Sequence, residues 1–393
     1  MIPNIALPKD FEATGVNCGV RKYRPDLGII KSLRAAKAVG VFTKNTLKAV
    51  PVKYCMSLLP SEDIHAVIVN SGQANIATGK AGVEDCNSIV SETAKALGLK
   101  NTQVLASSTG VIGDRIPIHT VIPAIPTAVR AFQPFINNFA LAIMTTDLIP
   151  KFLTRTVNIG GKEVRITGAS KGSGMIHPNM GTMLGFVCTD ADLDTEYMQT
   201  LLRKTNEDTF NMISVDGETS TNDMVLSLSN GASGAKVESQ EDKDVFEKAY
   251  KEVLTELAVA IAKDGEGASK LITVNVLNAP DIEIAKELAR SITISPLVKS
   301  AVHGEDPNWG RIMARVGMVG VNEEIIEHLV LKLQGVELFK EGGPVDGARG
   351  AVSALLKQEE IKIDIDLKAG DAHATGWGCD LSVRYVEINT EYS

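Results

Sequence analysis

Residues 171–182 read Lys-Gly-Ser-Gly-Met-Ile-His-Pro-Asn-Met-Gly-Thr, and Met183, Leu184, Gly185, Phe186 and Val187 follow at once. No regular element runs through a stretch that holds Gly172, Gly174, Pro178 and Asn179, because each of these favours a turn over a helix or strand. The run after Thr182 is short and apolar, as a buried strand is, and Val164–Thr167 before the loop alternates like a strand. The middle of the chain is therefore constrained to strand, glycine-rich loop, strand. Its hydroxyl residue Thr182 stands at the second junction, directly behind Gly181, which has no side chain.

That junction suits a chain that cuts itself. The Thr182 hydroxyl attacks the preceding carbonyl, an ester forms by N–O acyl shift, and hydrolysis leaves Thr182 as a new N-terminus. Such a threonine carries its own base, the freed α-amine, whose unperturbed pKa is about 8.

Elsewhere strands and helices are mixed rather than segregated. Ala66–Val69 reads as a buried strand running into the polar turn 70–75. Val83–Leu97 has helical spacing and stops at Gly98. Val104–Ala106 is a short strand that ends in a turn over 107–113. The clearest helix covers Val245–Ala262, with Phe246, Ala249, Tyr250, Val253, Leu257, Ala260 and Ile261 on one face. Strands follow at Leu271–Leu277, at Ile361–Leu367 with one wet face, and last at Leu381–Val386. Asn278-Ala-Pro280 interrupts the chain, so a smaller C-terminal α/β domain is expected over about 285–393.

The chain's 393 residues, 44% of them hydrophobic, suffice for two or three domains or one large layered enzyme. Its 40 basic and 48 acidic residues give a net charge of −8, which argues against general nucleic-acid binding. No apolar run spans a membrane, and the N-terminus has no basic region followed by an apolar run, so cytoplasm is the expected location. Five scattered cysteines form no CxxC pair, and the six histidines show no HxxxH or HxH spacing, so no disulfide framework and no metal site are expected.

Several further segments carry chemistry-bearing residues. Ser107-Ser-Thr-Gly110 can present a hydroxyl and a backbone N–H to a developing oxyanion, or be a strand-end turn. Lys171-Gly-Ser-Gly174 is not a phosphate loop, because its lysine precedes the glycines. Beside a nucleophile that lysine can hold a carboxylate, and elsewhere it is a solvated cation. In Asp264-Gly-Glu-Gly267 two glycines admit a close approach to Glu266, which can receive an ammonium, or they simply cap a helix. Met144-Thr-Thr-Asp147 offers two hydroxyls, or a cap. His303-Gly-Glu-Asp-Pro-Asn-Trp-Gly-Arg311 reads as a structural loop locked by Trp309 and Arg311 rather than as a metal or catalytic loop.

Together these segments resemble the glutamate N-acetyltransferase family, also called ornithine acetyltransferases, of arginine biosynthesis. The resemblance covers essentially the whole chain. It rests on residues 69–75 (Val-Asn-Ser-Gly-Gln-Ala-Asn), 108–113 (Ser-Thr-Gly-Val-Ile-Gly), 143–147 (Ile-Met-Thr-Thr-Asp), 171–184, 264–267, 303–311 and 385–389 (Tyr-Val-Glu-Ile-Asn), in the family's order. It implies a precursor that cuts between Gly181 and Thr182 into an α chain 1–181 and a β chain 182–393, two of each assembling together. Thr182 would then take the acetyl group from N-acetylornithine and pass it to glutamate by a ping-pong route. Thr109 and Gly110 would form the oxyanion hole, and Thr145, Lys171, Thr182, Glu266 and Asn389 would contact substrate. The implied fold is a layered α-β-β-α sandwich similar to N-terminal nucleophile hydrolases but differently connected. No resident cofactor is implied. Members differ in whether acetyl-CoA also serves as donor.

Three positions depart from the family. Gly181 replaces the usual Ala, and glycine permits the bent geometry an N–O shift needs, so the cut is expected to survive. His177 stands where Ala is frequent and is given no role. The family's Ser or Thr five residues beyond the Asn389 position has no counterpart at that spacing, so either that hydroxyl contact is missing or Ser393 substitutes for it. Two rival readings stand beside this one. One is an N-terminal-nucleophile aminopeptidase or amidase, and the other is an uncleaved, inactive homologue.

Overall fold

The computed structural model describes residues 3–177 and 183–391. The chain is a mixed α/β protein with two β-sheets and divides into two compact units. The first runs from the N-terminus to Gly172, resumes through Thr209, and includes Thr219–Leu257. The second takes a short arm beginning at Ser173, then Phe210–Glu218, then everything from Ala258 onward.

The first unit is built on strands β1 (Phe11–Val16), β2 (Leu27–Phe42), β3 (Ser61–Gln73), β4 (Val104–Val111), β5 (Lys151–Ile159), β6 (Lys162–Lys171), β7 (Leu184–Thr189) and, after β8 (Ile213–Ser214) of the other sheet, β9 (Met224–Ser229). Their order is β4-β3-β2-β9-β7-β6-β5, with β1 paired to β2. Both faces of this sheet are covered. Ile29, Ala66, Ile68 and Val104 meet helices Gly79–Leu97 and Ile118–Arg130 on one face. Ile30, Val67, Val69 and Leu105 meet helices Val50–Leu58 and Asn137–Ala142 on the other. Burial on both faces is why Ala66–Val69 reads as a continuous apolar run rather than an alternating one. Gly98 ends its helix in the left-handed conformation (φ +70°), as expected of a C-terminal glycine.

Two strands run further than their apolar residues suggest. β3 continues through Asn70 to Gln73 and β4 through Ser107 to Val111, paired in parallel with Asn70 opposite Ser108, Ser71 opposite Thr109 and Gly72 opposite Gly110. The expected turn at 107–110 is thus strand. The polar side chains are accommodated because they find partners: Ser108 Oγ donates to Asn70 Oδ1 at 2.6 Å. Asn222 Nδ2 donates to the carbonyls of Ala74 (2.6 Å) and Ser108 (2.8 Å).

The second unit's sheet is ordered β13-β12-β11-β14-β10-β15-β8. Its strands are β8 (Ile213–Ser214), β10 (Leu271–Ala279), β11 (Val330–Leu333), β12 (Val336–Lys340), β13 (Gly343–Pro344), β14 (Glu360–Asp366) and β15 (Ala372–Cys379). β14 alternates as its sequence does, with Ile361, Ile363 and Ile365 buried in the core with Ile272, Val274 and Val276 of β10. Helix Ile282–Thr293 buries Ala285, Leu288, Ala289 and Ile292, and Asp281 caps it by accepting from Ile284 N–H at 2.8 Å. The sequence division near 285 falls inside this helix. Leu381–Val386 is not the last strand: Val383–Glu391 is helical, with Val383 and Val386 exposed. The last strand is β15, whose glycines and polar residues hide it from a pattern search.

Candidate active site

Gly181 and Thr182, the expected cleavage pair, and Ser393 lie outside the described residues. The other site residues fall into two clusters, one in each unit.

In the first unit β4 and β6 supply the side chains. Lys171, the last residue of β6, is buried, and its Nζ donates to Thr109 Oγ1 at 3.1 Å. An ammonium can only donate, so the Thr109 hydroxyl must accept in this pair, which leaves its own hydrogen for another acceptor. The adjacent positive charge also makes that hydroxyl a stronger donor. Gly110 has φ +132°, and a Cβ there would lie 2.2 Å from the Gly72 carbonyl. Only glycine fits against the neighbouring strand at that backbone conformation.

Asp147 holds this cluster from behind. It is fully buried, and its Oδ1 accepts from Lys151 Nζ at 2.7 Å and from Gly172 N–H at 2.8 Å. Its Oδ2 accepts from Thr145 N–H at 2.9 Å, which fixes the backbone of the expected substrate residue Thr145. Burial works against its charge, but Lys151 and Lys171 nearby, with these hydrogen bonds, outweigh it and hold the carboxyl below the usual carboxylate range. Asp223, at the end of the polar run Ser220-Thr-Asn-Asp223, is also fully buried. Its Oδ1 accepts from Met183 N–H at 2.8 Å. Burial pushes this carboxyl well above its ordinary range, only partly opposed by the Met183 N–H and the Lys171 charge.

In the second unit Glu266 is buried and takes Asn389 Nδ2 on Oε2 at 2.9 Å. Asn389 also donates to the carbonyl of Tyr385 one helical turn back, at 3.0 Å, so the helix Val383–Glu391 aims it. Gly174 leaves space for the Glu266 carboxyl: a Cβ there would lie 2.4 Å from it. The arm carrying Gly174 is tied down by Asp216, whose oxygens accept from Met175 N–H (2.6 Å) and Ile176 N–H (2.9 Å). Burial, with Glu266 adding to it, raises the Asp216 carboxyl above its usual range despite those bonds.

The segment 303–311 plays a structural part. His303 Nδ1 meets Asp380 Oδ2 at 2.7 Å, Arg311 Nη1 donates to the Leu297 carbonyl at 2.7 Å, and Trp309 stacks at a tilt on Phe339. Among the described residues no group of His, Cys, Asp or Glu could hold a metal ion. Among them, too, no helix is long and apolar enough to cross a membrane.

Sequence reading paired Thr109 with Gly110 and named Lys171, but missed Asp147's brace, Lys151 and Asp223. A local signal exists only at Asp223, a carboxylate directly before the wholly buried β9; Lys151 opens β5, whose Thr154, Arg155, Thr156 and Asn158 give no such contrast.

The sequence profile of the ArgJ family matches residues 12–393. A protein of Thermotoga neapolitana named arginine biosynthesis bifunctional protein ArgJ is 43% identical over 98% of this chain and 99% of its own. A protein of the same name from Bacillus licheniformis is 43% identical over 99% of this chain and 96% of its own. The crystal structure of the Bacillus halodurans protein of that name is similar at 39% identity and a TM-score of 0.50, over 53% of this chain and 98% of the solved chain.

Proposed function

The chain belongs to the ArgJ family, and on that premise we propose that it is a self-cleaving acetyltransferase of arginine biosynthesis. It moves the acetyl group of N-acetylornithine to glutamate through an acetyl-threonine at Thr182. The observation that carries the reading is the buried Lys171–Thr109 pair beside Gly110, which leaves one polarised hydroxyl hydrogen available in a water-poor setting.

The chemistry runs in three stages. In the precursor, Thr182 Oγ adds to the Gly181 carbonyl carbon, the Gly181–Thr182 C–N bond breaks, and the hydroxyl proton ends on the departing nitrogen. Water then hydrolyses the ester, freeing the Gly181 carboxyl and the Thr182 hydroxyl. In the mature enzyme the α-amine takes the hydroxyl proton as Thr182 Oγ attacks the acetyl carbonyl, and gives it to the leaving ornithine amine. Thr109 O–H and Gly110 N–H hold the negative oxygen that develops. The glutamate amine repeats the attack in reverse and leaves as N-acetylglutamate.

Lys171 meets a substrate carboxylate, while Glu266, oriented by Asn389, receives an amino group. Thr145 contributes from a backbone fixed by Asp147. Acetyl-CoA is a further acetyl donor to be tried in the same assay. Two α and two β chains are the proposed assembly and cytoplasm the proposed location.

One comparison supports the cut: the solved relative's chain is almost wholly matched yet spans only 53% of this one, close to the share that residues 182–393 make up. The test is to incubate the purified protein with N-acetylornithine, with and without glutamate. Formation of N-acetylglutamate supports the reading, and release of free acetate at the same rate with or without glutamate overturns it in favour of a hydrolase.

A further inference from the structure

Residues 173–176 form an arm laced on two sides. On one side Ser173 meets the segment 264–267: its carbonyl accepts from Glu266 N–H at 2.9 Å, and its Oγ donates to the Asp264 carbonyl at 2.7 Å. On the other side the Ile176 carbonyl accepts from Val215 N–H at 2.9 Å and from Ser214 Oγ at 3.1 Å. Between them stand Gly174, against the Glu266 carboxyl, and Met175, whose φ of +55° a side-chain-bearing residue rarely adopts. Such a conformation persists where its surroundings over-determine it. Asp216 supplies that restraint. Its Oδ2 accepts from Met175 N–H at 2.6 Å, and its Oδ1 accepts from the N–H groups of Ile176 (2.9 Å) and Glu218 (3.2 Å).

The helix Val383–Glu391 joins the same carboxyl to Glu266 by a second route. Ser382 Oγ donates to the Gly267 carbonyl at 2.6 Å, and a Cβ on Gly267 would lie 2.5 Å from Tyr385 N. The start of the helix is therefore pressed onto the segment 264–267. Burial raises the Tyr385 hydroxyl above its ordinary range, and the charges of Asp216 and Glu266, with a hydrogen bond to Asp216, add to that. One turn on, Asn389 Nδ2 donates to both the Tyr385 carbonyl and Glu266 Oε2. Glu266 is thus held in a ring, with Gly174, Met175 and Asp216 on one side and Tyr385 and Asn389 on the other.

We propose that Asp216 is a positioning residue for acetyl transfer: by holding both the 173–176 arm and Tyr385, it fixes the Glu266 carboxyl where a substrate's amino group binds. The inference rests on the role proposed above for Glu266. Asp216 acts through its neighbours and touches no reacting atom. Its charge has a further effect: Glu266 and Asp216 repel each other, and an ammonium arriving at Glu266 relieves that repulsion. Disorder of the ring therefore weakens binding of the amino group and leaves the acyl-transfer chemistry itself in place.

The test is a double-mutant cycle on the full chain, read as kcat and KM for N-acetylornithine at saturating glutamate. Asp216→Asn sets an amide Nδ2 against one of the N–H donors. It should raise KM about tenfold or more, as the loss of a hydrogen bond to a charged group does, while kcat changes less than about threefold. Tyr385→Phe leaves the backbone bonds of Asp216 intact and should raise KM about two- to tenfold; it carries the cycle if Asp216→Asn does not fold. In a Glu266→Gln background neither substitution should raise KM further, because the group they position is gone. A residue that merely held structure would lower kcat or the denaturation midpoint and add its effect in full to that of Glu266→Gln. Wild-type KM in both Asp216→Asn and Tyr385→Phe, or fully additive effects in the cycle, overturns the proposal. Failure of the underlying reading is seen in other proteins of the set: wild type that transfers no acetyl group, or Glu266→Gln alone with wild-type KM.

Discussion

Replacing Lys151 by Met removes one half of an ion pair whose side chains are both fully inaccessible. Asp147 would then keep the N–H groups of Gly172 and Thr145 and the more distant Lys171 charge, but lose its 2.7 Å partner. Breaking a buried pair from one side costs about 3–5 kcal/mol, because the remaining ion is left uncompensated. The surviving bonds put the expected loss near 3 kcal/mol, the low end of that range. The pH dependence has a definite sign. Asp147 titrates below its unfolded value, so its contribution is fully present above the ordinary carboxylate range of about 4 and is lost as pH falls through the folded value. The penalty of Lys151→Met should therefore be full at pH 7 and shrink as the medium is acidified, when Asp147 can take a proton. Chemical denaturation followed by circular dichroism, repeated from pH 7 to pH 4, measures this. Asp147→Asn with Lys151→Met should recover part of the loss. A single variant that loses less than about 1 kcal/mol at pH 7, or a penalty that grows on acidification, would refute the view that Asp147 is a charged brace.

Other substitutions probe the rest of the framework. Gly110→Ala has to force a Cβ against the Gly72 carbonyl at φ +132°, so it should cost at least about 2 kcal/mol in denaturation and abolish acetyl transfer; normal stability with normal rates would contradict the close strand packing. Gly174→Ala should displace the Glu266 carboxyl and raise KM for the amino-acid substrates while leaving stability nearly unchanged, since the obstructing atoms belong to a side-chain end; an unchanged KM removes Glu266 from the substrate frame. Thr182→Ala should yield one full-length inactive chain, and a split at the same bond would exclude the proposed nucleophile. In that uncut background Asp223 keeps its raised pKa, so folded protein retains a proton that unfolded protein loses, and stability should fall as pH rises from about 4. Adding Asp223→Asn should flatten that fall, and parallel denaturation curves would contradict it.

How much of this was legible in the sequence depends on the range of the interaction. Helix Gln240–Lys263 and its buried face of Phe246, Tyr250, Val253 and Leu257 follow from a 3.6-residue period, which is local. The alternation of β14 is equally local. The extension of β3 and β4 into polar residues was not legible, because it depends on Asn222 reaching Ser108 from 114 positions away. The same holds for the second unit, which recruits Phe210–Glu218 from far upstream and sets β8 beside β15. Val383–Glu391 was misread as strand because a short apolar run has no period of its own, and its Val383 and Val386 face solvent. At the site, the roles of Thr109, Lys171 and Glu266 were suggested by residue type next to glycine. Asp147 and Asp223 act through burial and backbone N–H groups, which leave no spacing signature.

The central claim is that one residue, Thr182, first cuts the chain and then carries the acetyl group. Intact-mass measurement of the purified protein after a brief exposure to N-acetylornithine without glutamate tests both parts at once. The account predicts two fragments, 1–181 and 182–393, with the mass of one acetyl group on the second alone and its loss when glutamate is added. A single full-length chain, or an acetyl group found on the first fragment, would contradict it.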